Sequence, residues 1–433
     1  MNCIVKNYLN QMIMLLYLLF LVSVLVLSSF LIGPFTGRVW AVMMMCLYLI
    51  FVYYRDKRFY NVQLPYIYLF IAYIFLLAFT QFLNGDFETL GLKWILANHF
   101  VSIVVIIATF NITREKMSSR MDVIISAITV LIIVDSFVTI AQYDNSPSGW
   151  AINLFLTQGR NEKIVDFLNS SLSLQQTVAG FAKTPGLFND VVDNAIFLGS
   201  FGLLPFYFIQ KKSKVIKILT ICVLALTLTA CYTCQERAAL LTFTASILFL
   251  FFKYNQNKPV GIILSVIVFI TIINMDFSKY EFGRFQELGM FSNDARQGIW
   301  DKAVPYLSEN WLLGGLNKFT GITGGSLPHN FFLNAFVFAG FCGGIVIIVL
   351  LVMILLRILK NINSGKSTKT TIIVSMALLS ILVQSFVHNM SIITGDVFSF
   401  LLIGLMIVSE KQTPQIDTYL KKRKVYEHSY SIR

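Results

Sequence analysis

Twelve apolar runs, many close to the length that crosses a bilayer, divide this chain and leave it few other ways to fold. They occupy residues 9–32, 39–54, 64–83, 94–112, 122–143, 191–209, 215–233, 238–252, 259–275, 331–356, 371–387 and 393–409. About 20 mostly apolar residues cross the hydrocarbon core, and several runs are shorter, so about twelve transmembrane helices are expected. Lipid offers the backbone no hydrogen bonds, which limits spans to helices or a closed barrel. Barrel strands alternate every second residue, and these runs do not. The composition agrees, with 56% hydrophobic and 13% charged residues and a mean hydropathy of +0.72, where soluble domains carry about 25% charge. The expected fold is an all-α integral membrane protein, one polytopic domain over residues 1–433. The first run is too long for a signal peptide and lacks a small-residue cleavage site, so it reads as a retained signal anchor.

Lysine and arginine orient the spans. Basic clusters follow every second run: Arg55, Lys57 and Arg58; Arg114, Lys116 and Arg120; Lys211, Lys212, Lys214 and Lys217; Lys253 and Lys258; Arg357, Lys360, Lys366 and Lys369. Short basic loops stay in the cytoplasm. Both termini are therefore expected inside, with residues 410–433 as a cytoplasmic tail and the odd-numbered connections outside. The net charge of +12 is then topology signal and anionic-lipid contact, with no nucleic-acid partner implied.

Two outward connections are long. In residues 144–190, the stretches 150–156 and 164–174 are amphipathic enough to lie along the bilayer surface, and Pro185-Gly186 turns the chain into the sixth span. In residues 276–330, Asn293-Asp294 can cap a helix starting near Ala295. Arg296, Trp300 and Ala303 then share a face. Pro305 and Gly314-Gly315 interrupt or end that helix, and residues 321–325 read as a flexible strap leading to His329-Asn330. The large outer loop thus carries short amphipathic helices. Cys231 and Cys234 read as small apolar residues at a helix end, and no Cys/His spacing suggests a metal.

The outward charges are the candidate chemistry. Taken singly, Arg237 fits a snorkelling arginine or a pair with Glu236. Arg284 and Arg296 fit solvated loop charges, and His329 fits a helix cap. Together they place three arginines and a histidine on one side of the membrane. The guanidinium fork binds diphosphate oxygens bidentately. Imidazole can take a proton from an alcohol near neutrality. The set suits transfer to a hydroxyl with a lipid diphosphate as leaving group, the arginines stabilising the departing charge.

At these residues a resemblance enters. His329-Asn330, nine residues, Gly340, two residues and Gly343 resembles the histidine motif of the O-antigen ligases. The turn Gln235-Glu236-Arg237-Ala238-Ala239-Leu240-Leu241 resembles the short arginine loop of that superfamily, and Arg296-x-x-x-Trp300 with Leu313-Gly314-Gly315 resembles its large-loop signature. The ordered set covers roughly residues 180–360, and the topology covers the whole chain. The superfamily contains O-antigen ligases, O-antigen polymerases and related exopolysaccharide polymerases. The resemblance implies a glycosyltransferase in the bacterial inner membrane, using an undecaprenyl-diphosphate-linked oligosaccharide on the periplasmic face without metal or cofactor. Arg237 and Arg296 would contact the diphosphate, and His329 would activate the acceptor hydroxyl. A departure is Leu327-Pro328, where some ligases carry a second histidine. A short large loop and a long 144–190 loop favour polymerase over ligase, and a polymerase implies a chain-length regulator as partner.

Other residues complete the expected site. Arg284 and Asn330 join the substrate side. Asp135, inside the fifth span, could orient an arginine, line the acceptor path or pack protonated. His388 and Asp396, at the outer ends of the last two spans, frame the same cavity, while His99 pairs within the bundle. The competing reading from another class is a transporter for the same lipid-linked glycan. That would need a midplane site built from broken helices.

Overall fold

The computed structural model describes residues 3–27, 30–33, 35–56, 64–85, 90–113, 117–144, 146–158, 184–211, 213–234, 236–254, 294–386, 388 and 391–410. They are almost entirely helical. Five long helices come first: α1 (Cys3–Leu25), α2 (Gly37–Asp56), α3 (Leu64–Leu83), α4 (Leu90–Thr113) and α5 (Met117–Tyr143). A two-residue β-hairpin, Leu31–Ile32 against Phe35–Thr36, joins α1 to α2. Then follow α6 (Pro147–Thr157), α7 (Val191–Ile196), α8 (Lys214–Thr233), α9 (Arg237–Tyr254), α10 (Asp294–Asn310), α11 (Leu316–Thr323), α12 (Phe331–Asn363), α13 (Lys369–Ser385) and α14 (Val397–Glu410).

Seven segments are long and apolar enough to cross a membrane, and four shorter apolar helices coincide with the first, second, eleventh and twelfth expected spans. The expected span at residues 259–275 lies outside the described residues, so the count of twelve is not reached here. Polar side chains mark where several helices begin. Asp190 accepts the Val192 N–H, Thr368 the Thr371 N–H, and Asp396 the Phe398 and Ser399 N–H groups, at 3.0–3.1 Å. Each cap satisfies amides that a lipid or protein interior would leave bare. Within the spans, threonines return their hydroxyl protons to the preceding turn, as Thr109 does to Val105 and Thr227 to Val223. This lets a polar residue sit in an apolar layer.

The sixth span departs from the expected single helix. After one α-helical turn, α7, the chain widens into a π-helix at Phe197–Phe201 and tightens into a 3₁₀ helix at Leu204–Gln210. Pro205 lies in the first turn of the 3₁₀ segment, where its missing N–H costs nothing. Gly199 and Gly202 let neighbours close in: an added Cβ at Gly199 would lie 2.9 Å from Ala239 Cα. Ser380 donates to the Gly199 carbonyl at 2.8 Å, and Gln384 donates to Ser200 Oγ at 3.2 Å. Ser380 of α13 thus supplies a donor to a backbone carbonyl at the break, while Gln384 holds a side chain beside it.

Packing orders the bundle. α3 runs along α12, α4 along α14, α5 along α8, and α13 lies between α12 and α14. In the 144–190 connection, α6 is two-faced, with Ile152 and Phe155 exposed. Trp150, Asn153 and Thr157 of α6 are buried, and Gln142 at the end of α5 donates to Gly149 O at 3.2 Å. The expected helix at 164–174 and the tail beyond residue 410 fall outside the described residues.

Candidate functional site

The site is built around the first turn of α12. Asn330 is its cap, accepting the Phe332 and Leu333 N–H groups at 3.0 and 3.2 Å. That assigns Asn330 a structural task, where the sequence had placed it with the substrate-binding residues. His329, just before the cap, adopts φ +51°. Non-glycine residues seldom occupy this left-handed region, and such outliers concentrate at functional sites. Trp300 of α10 donates Nε1–H to the Pro328 carbonyl at 2.5 Å, which ties the large loop directly to the histidine segment.

The other described residues of that loop, from 301 onward, are docked as well. Pro305 lies inside α10 without ending it. Residues 321–325 form no loose strap: Gly321 is within α11, and Gly324 closes that helix in the left-handed conformation. Tyr306 donates to the carbonyls of Gly314 and Gly315 at 3.2 and 2.9 Å, and its ring meets Phe319 at 5.5 Å. The α10–α11 turn then seats on a kink in α12 at Gly340, where φ is +60° and ψ −164°. The Gly315 N–H bonds Val337 O at 2.9 Å, and the Phe341 N–H bonds Leu312 O at 3.2 Å. From α3, Gln81 donates to Phe338 O at 2.6 Å and Asn84 to Leu313 O at 3.3 Å. Leu313-Gly314-Gly315 and Gly340, distant in sequence, are two sides of one joint.

A second approach to α12 comes from α13. Phe386, at the end of α13, lies 6.0 Å from the Phe331 ring and 5.7 Å from the Phe332 ring. Two residues later, His388 is buried, with Nε2 4.0 Å from Glu236 Oε2. Glu236 precedes Arg237, the first residue of α9, which is half-buried. Phenylalanine packing therefore links the His329 segment to His388, and His388 meets the Glu236-Arg237 turn. Arg296 lies in the first turn of α10, where only its backbone is described, and Arg284 lies outside the described residues.

Asp135 holds backbone in place. Its Oδ1 accepts the Leu187 N–H at 2.8 Å. Gln142 brackets Gly186 from both sides, accepting its N–H at 2.9 Å and donating to its carbonyl at 3.0 Å. Asn153 donates to Gly186 O and Phe188 O, and Asn194 to Thr184 O and Thr139 Oγ1. Gly186 has φ +58°, and a Cβ there would sit 2.3 Å from Asp135 Oδ1. These side chains pin residues 184–188 inside the bundle, a role the sequence did not single out for Asp135. His99 pairs within the bundle, its ring nitrogens meeting the carbonyls of Ile95 and Ile393.

A polar group at the same end was legible only in part, since Asp396 was expected there while Arg38, Asn98 and Asp193 were not. Arg38 donates Nη1–H to Asn98 Oδ1 at 2.5 Å and lies within electrostatic range of Asp193 and Asp396. Arg38 Nε and Asp193 Oδ1 are buried with no hydrogen-bond partner among the described residues. The available signal was topological, since Arg38 is a cation at an expected outer end, where the lysine and arginine rule predicts few.

Among the described residues, no three His, Cys, Asp or Glu side chains gather closely enough to hold a metal ion. No protein-family model and no curated protein matches this chain.

Proposed function

We propose that this chain is a polytopic membrane glycosyltransferase of the O-antigen polymerase type. It moves glycan from an undecaprenyl diphosphate carrier to a hydroxyl of a second lipid-linked repeat unit. Arg237 and Arg296 bind the diphosphate, with Arg284 in support, and His329 takes the acceptor proton. The site opens on the periplasmic side of the bacterial inner membrane, with both termini in the cytoplasm. The observation that carries this reading is the convergence of the arginine turn, His388 and the strained His329 segment at one end of the bundle. It is linked through Phe331, Phe386 and the 4.0 Å His388–Glu236 approach. Polymerase is preferred to ligase on the lengths of the 144–190 and 276–330 connections. A chain-length regulator is the protein partner the reading implies.

The test is polymerisation in proteoliposomes containing undecaprenyl-diphosphate-linked repeat units. A ladder made by the wild-type chain and lost in Arg237→Ala is the expected result. A single transfer to added lipid A-core, without a ladder, would make it the ligase.

One observation favours a second reading. The sixth span is broken by π and 3₁₀ turns beside buried Asp135, Asn194 and Gln384. Transporters build midplane sites in this way. Movement of the lipid-linked unit across the bilayer without polymer would select that reading over transfer.

A further inference from the structure

The opposite end of the bundle contains a cavity of about 660 Å³ between the start of α3, the end of α12, the α12–α13 turn and the end of α14. Three cations line it, Arg357, Lys360 and Lys366, against one carboxylate, Glu410. The arginine is already committed. Its Nε donates to Glu410 Oε1 and Oε2 at 2.8 and 2.9 Å, and its Nη1 to Tyr66 Oη at 3.3 Å. Asn361 also donates to Glu410, at 2.6 Å. The Arg357–Glu410 pair therefore neutralises itself and forms one wall. Lys360 and Lys366 stay exposed on the rim and form no ion pair with a described residue.

The remaining lining suits an anion. Ser367 contributes a hydroxyl beside the amino end of α13, where Thr368 already engages the Thr371 N–H and hydroxyl and the helix dipole favours negative charge. The cavity also continues into an apolar surface. Leu356 lines it and is 62% exposed. Ile345, Val349 and Val352, also exposed, precede Leu356 at helical spacing along one face of α12. A soluble phosphate would use the cations alone, whereas a lipid would use both the cations and the stripe.

We propose that this cavity holds the phosphodiester headgroup of an anionic phospholipid, with Lys360 and Lys366 on its oxygens and an acyl chain along the Ile345–Leu356 face. By the lysine pattern this is the cytoplasmic leaflet, where basic pockets between helices bind anionic headgroups. The inference is independent of the glycosyltransferase reading.

The test follows thermal unfolding of the purified full chain in neutral detergent during titration with phosphatidylglycerol. Phosphatidylcholine, glycerol phosphate and inorganic phosphate are titrated in parallel. Phosphatidylglycerol is expected to raise the midpoint saturably and the others much less. Lys360→Gln with Lys366→Gln should weaken the apparent affinity about 25-fold, about fivefold for each lysine. Leu356→Asn should weaken the response to phosphatidylglycerol only. Lys214→Gln with Lys217→Gln, exposed at the same end on α8, should change nothing. Equal losses in the two lysine pairs, or no saturable response, would overturn the site. Equal stabilisation by glycerol phosphate or inorganic phosphate would overturn the lipid assignment.

Discussion

Gly340→Ala should undock the large-loop hairpin from the bundle while leaving the spans helical. The backbone at Gly340, φ +60° and ψ −164°, lies in a region essentially reserved for glycine, and alanine there costs about 1–3 kcal/mol. Its Cβ would lie 2.2 Å from Leu312 O and 2.7 Å from Leu313 C. Both are backbone atoms, so relief requires moving the α10–α11 turn. That movement breaks the Gly315–Val337 and Phe341–Leu312 hydrogen bonds, about 1 kcal/mol each. The sum is about 3–5 kcal/mol, and 3 kcal/mol alone raises the opening constant of the joint about 150-fold. Hydrogen exchange read on peptides covering Gly315 and Phe341 would report this as lost protection, with helical circular dichroism retained. Gly321→Ala is the internal contrast. It lies within α11, its φ is not positive, and nothing meets an added Cβ within 4 Å. The same substitution there should stabilise by about 0.5–1 kcal/mol. Native protection and an unchanged unfolding midpoint in Gly340→Ala would refute the account of the joint.

Three further outcomes are expected. His329→Asn should keep the local fold, because asparagine tolerates the left-handed conformation, and should lose transfer; an active variant, assayed in proteoliposomes, moves the base elsewhere. Asp135→Asn keeps an acceptor for the Leu187 N–H and should fold and turn over normally, whereas Asp135→Ala should lose about 1–3 kcal/mol by stranding a buried donor. The unfolding midpoint and the transfer rate check both, and an inactive, fully folded Asp135→Asn would return this carboxylate to the substrate site. Asn330→Ala should cost about 1 kcal/mol as a lost cap; a midpoint unmoved by it would mean the cap contributes nothing.

Membrane character and many of the helix positions were legible because partition into lipid depends on composition summed over about 20 residues, which a linear sequence records directly. The caps at Asp190, Asn330, Thr368 and Asp396 act over only three residues. Asn330 and Asp396 were nonetheless expected at the substrate cavity, because a capping side chain and a ligand-binding one are the same residue types. The Gly340 joint was not readable in this way. It brings Leu312 against Phe341, and no local preference announces contact between distant backbones. The break in the sixth span was hidden too, because α, π and 3₁₀ turns of the same apolar residues partition alike. Asp135 shows the limit most plainly. Its position within a span was evident, but whether it faced a ligand or a neighbouring backbone depended on where residues 184–188 fold back.

What the sequence determined alone is thus the solvent this chain folds in, the approximate placement of its spans and the chemical types available at its loops. Tertiary structure decided which of those residues are spent on holding the backbone and which end of the bundle gathers the rest. The physical reason is that lipid is as apolar as the helix faces it surrounds. Hydrophobic pattern therefore sends a segment into the membrane without saying which face meets lipid and which meets another helix. That choice is made by close approach at glycines such as Gly340 and Gly186, and by buried hydrogen bonds such as Asp135 to Leu187.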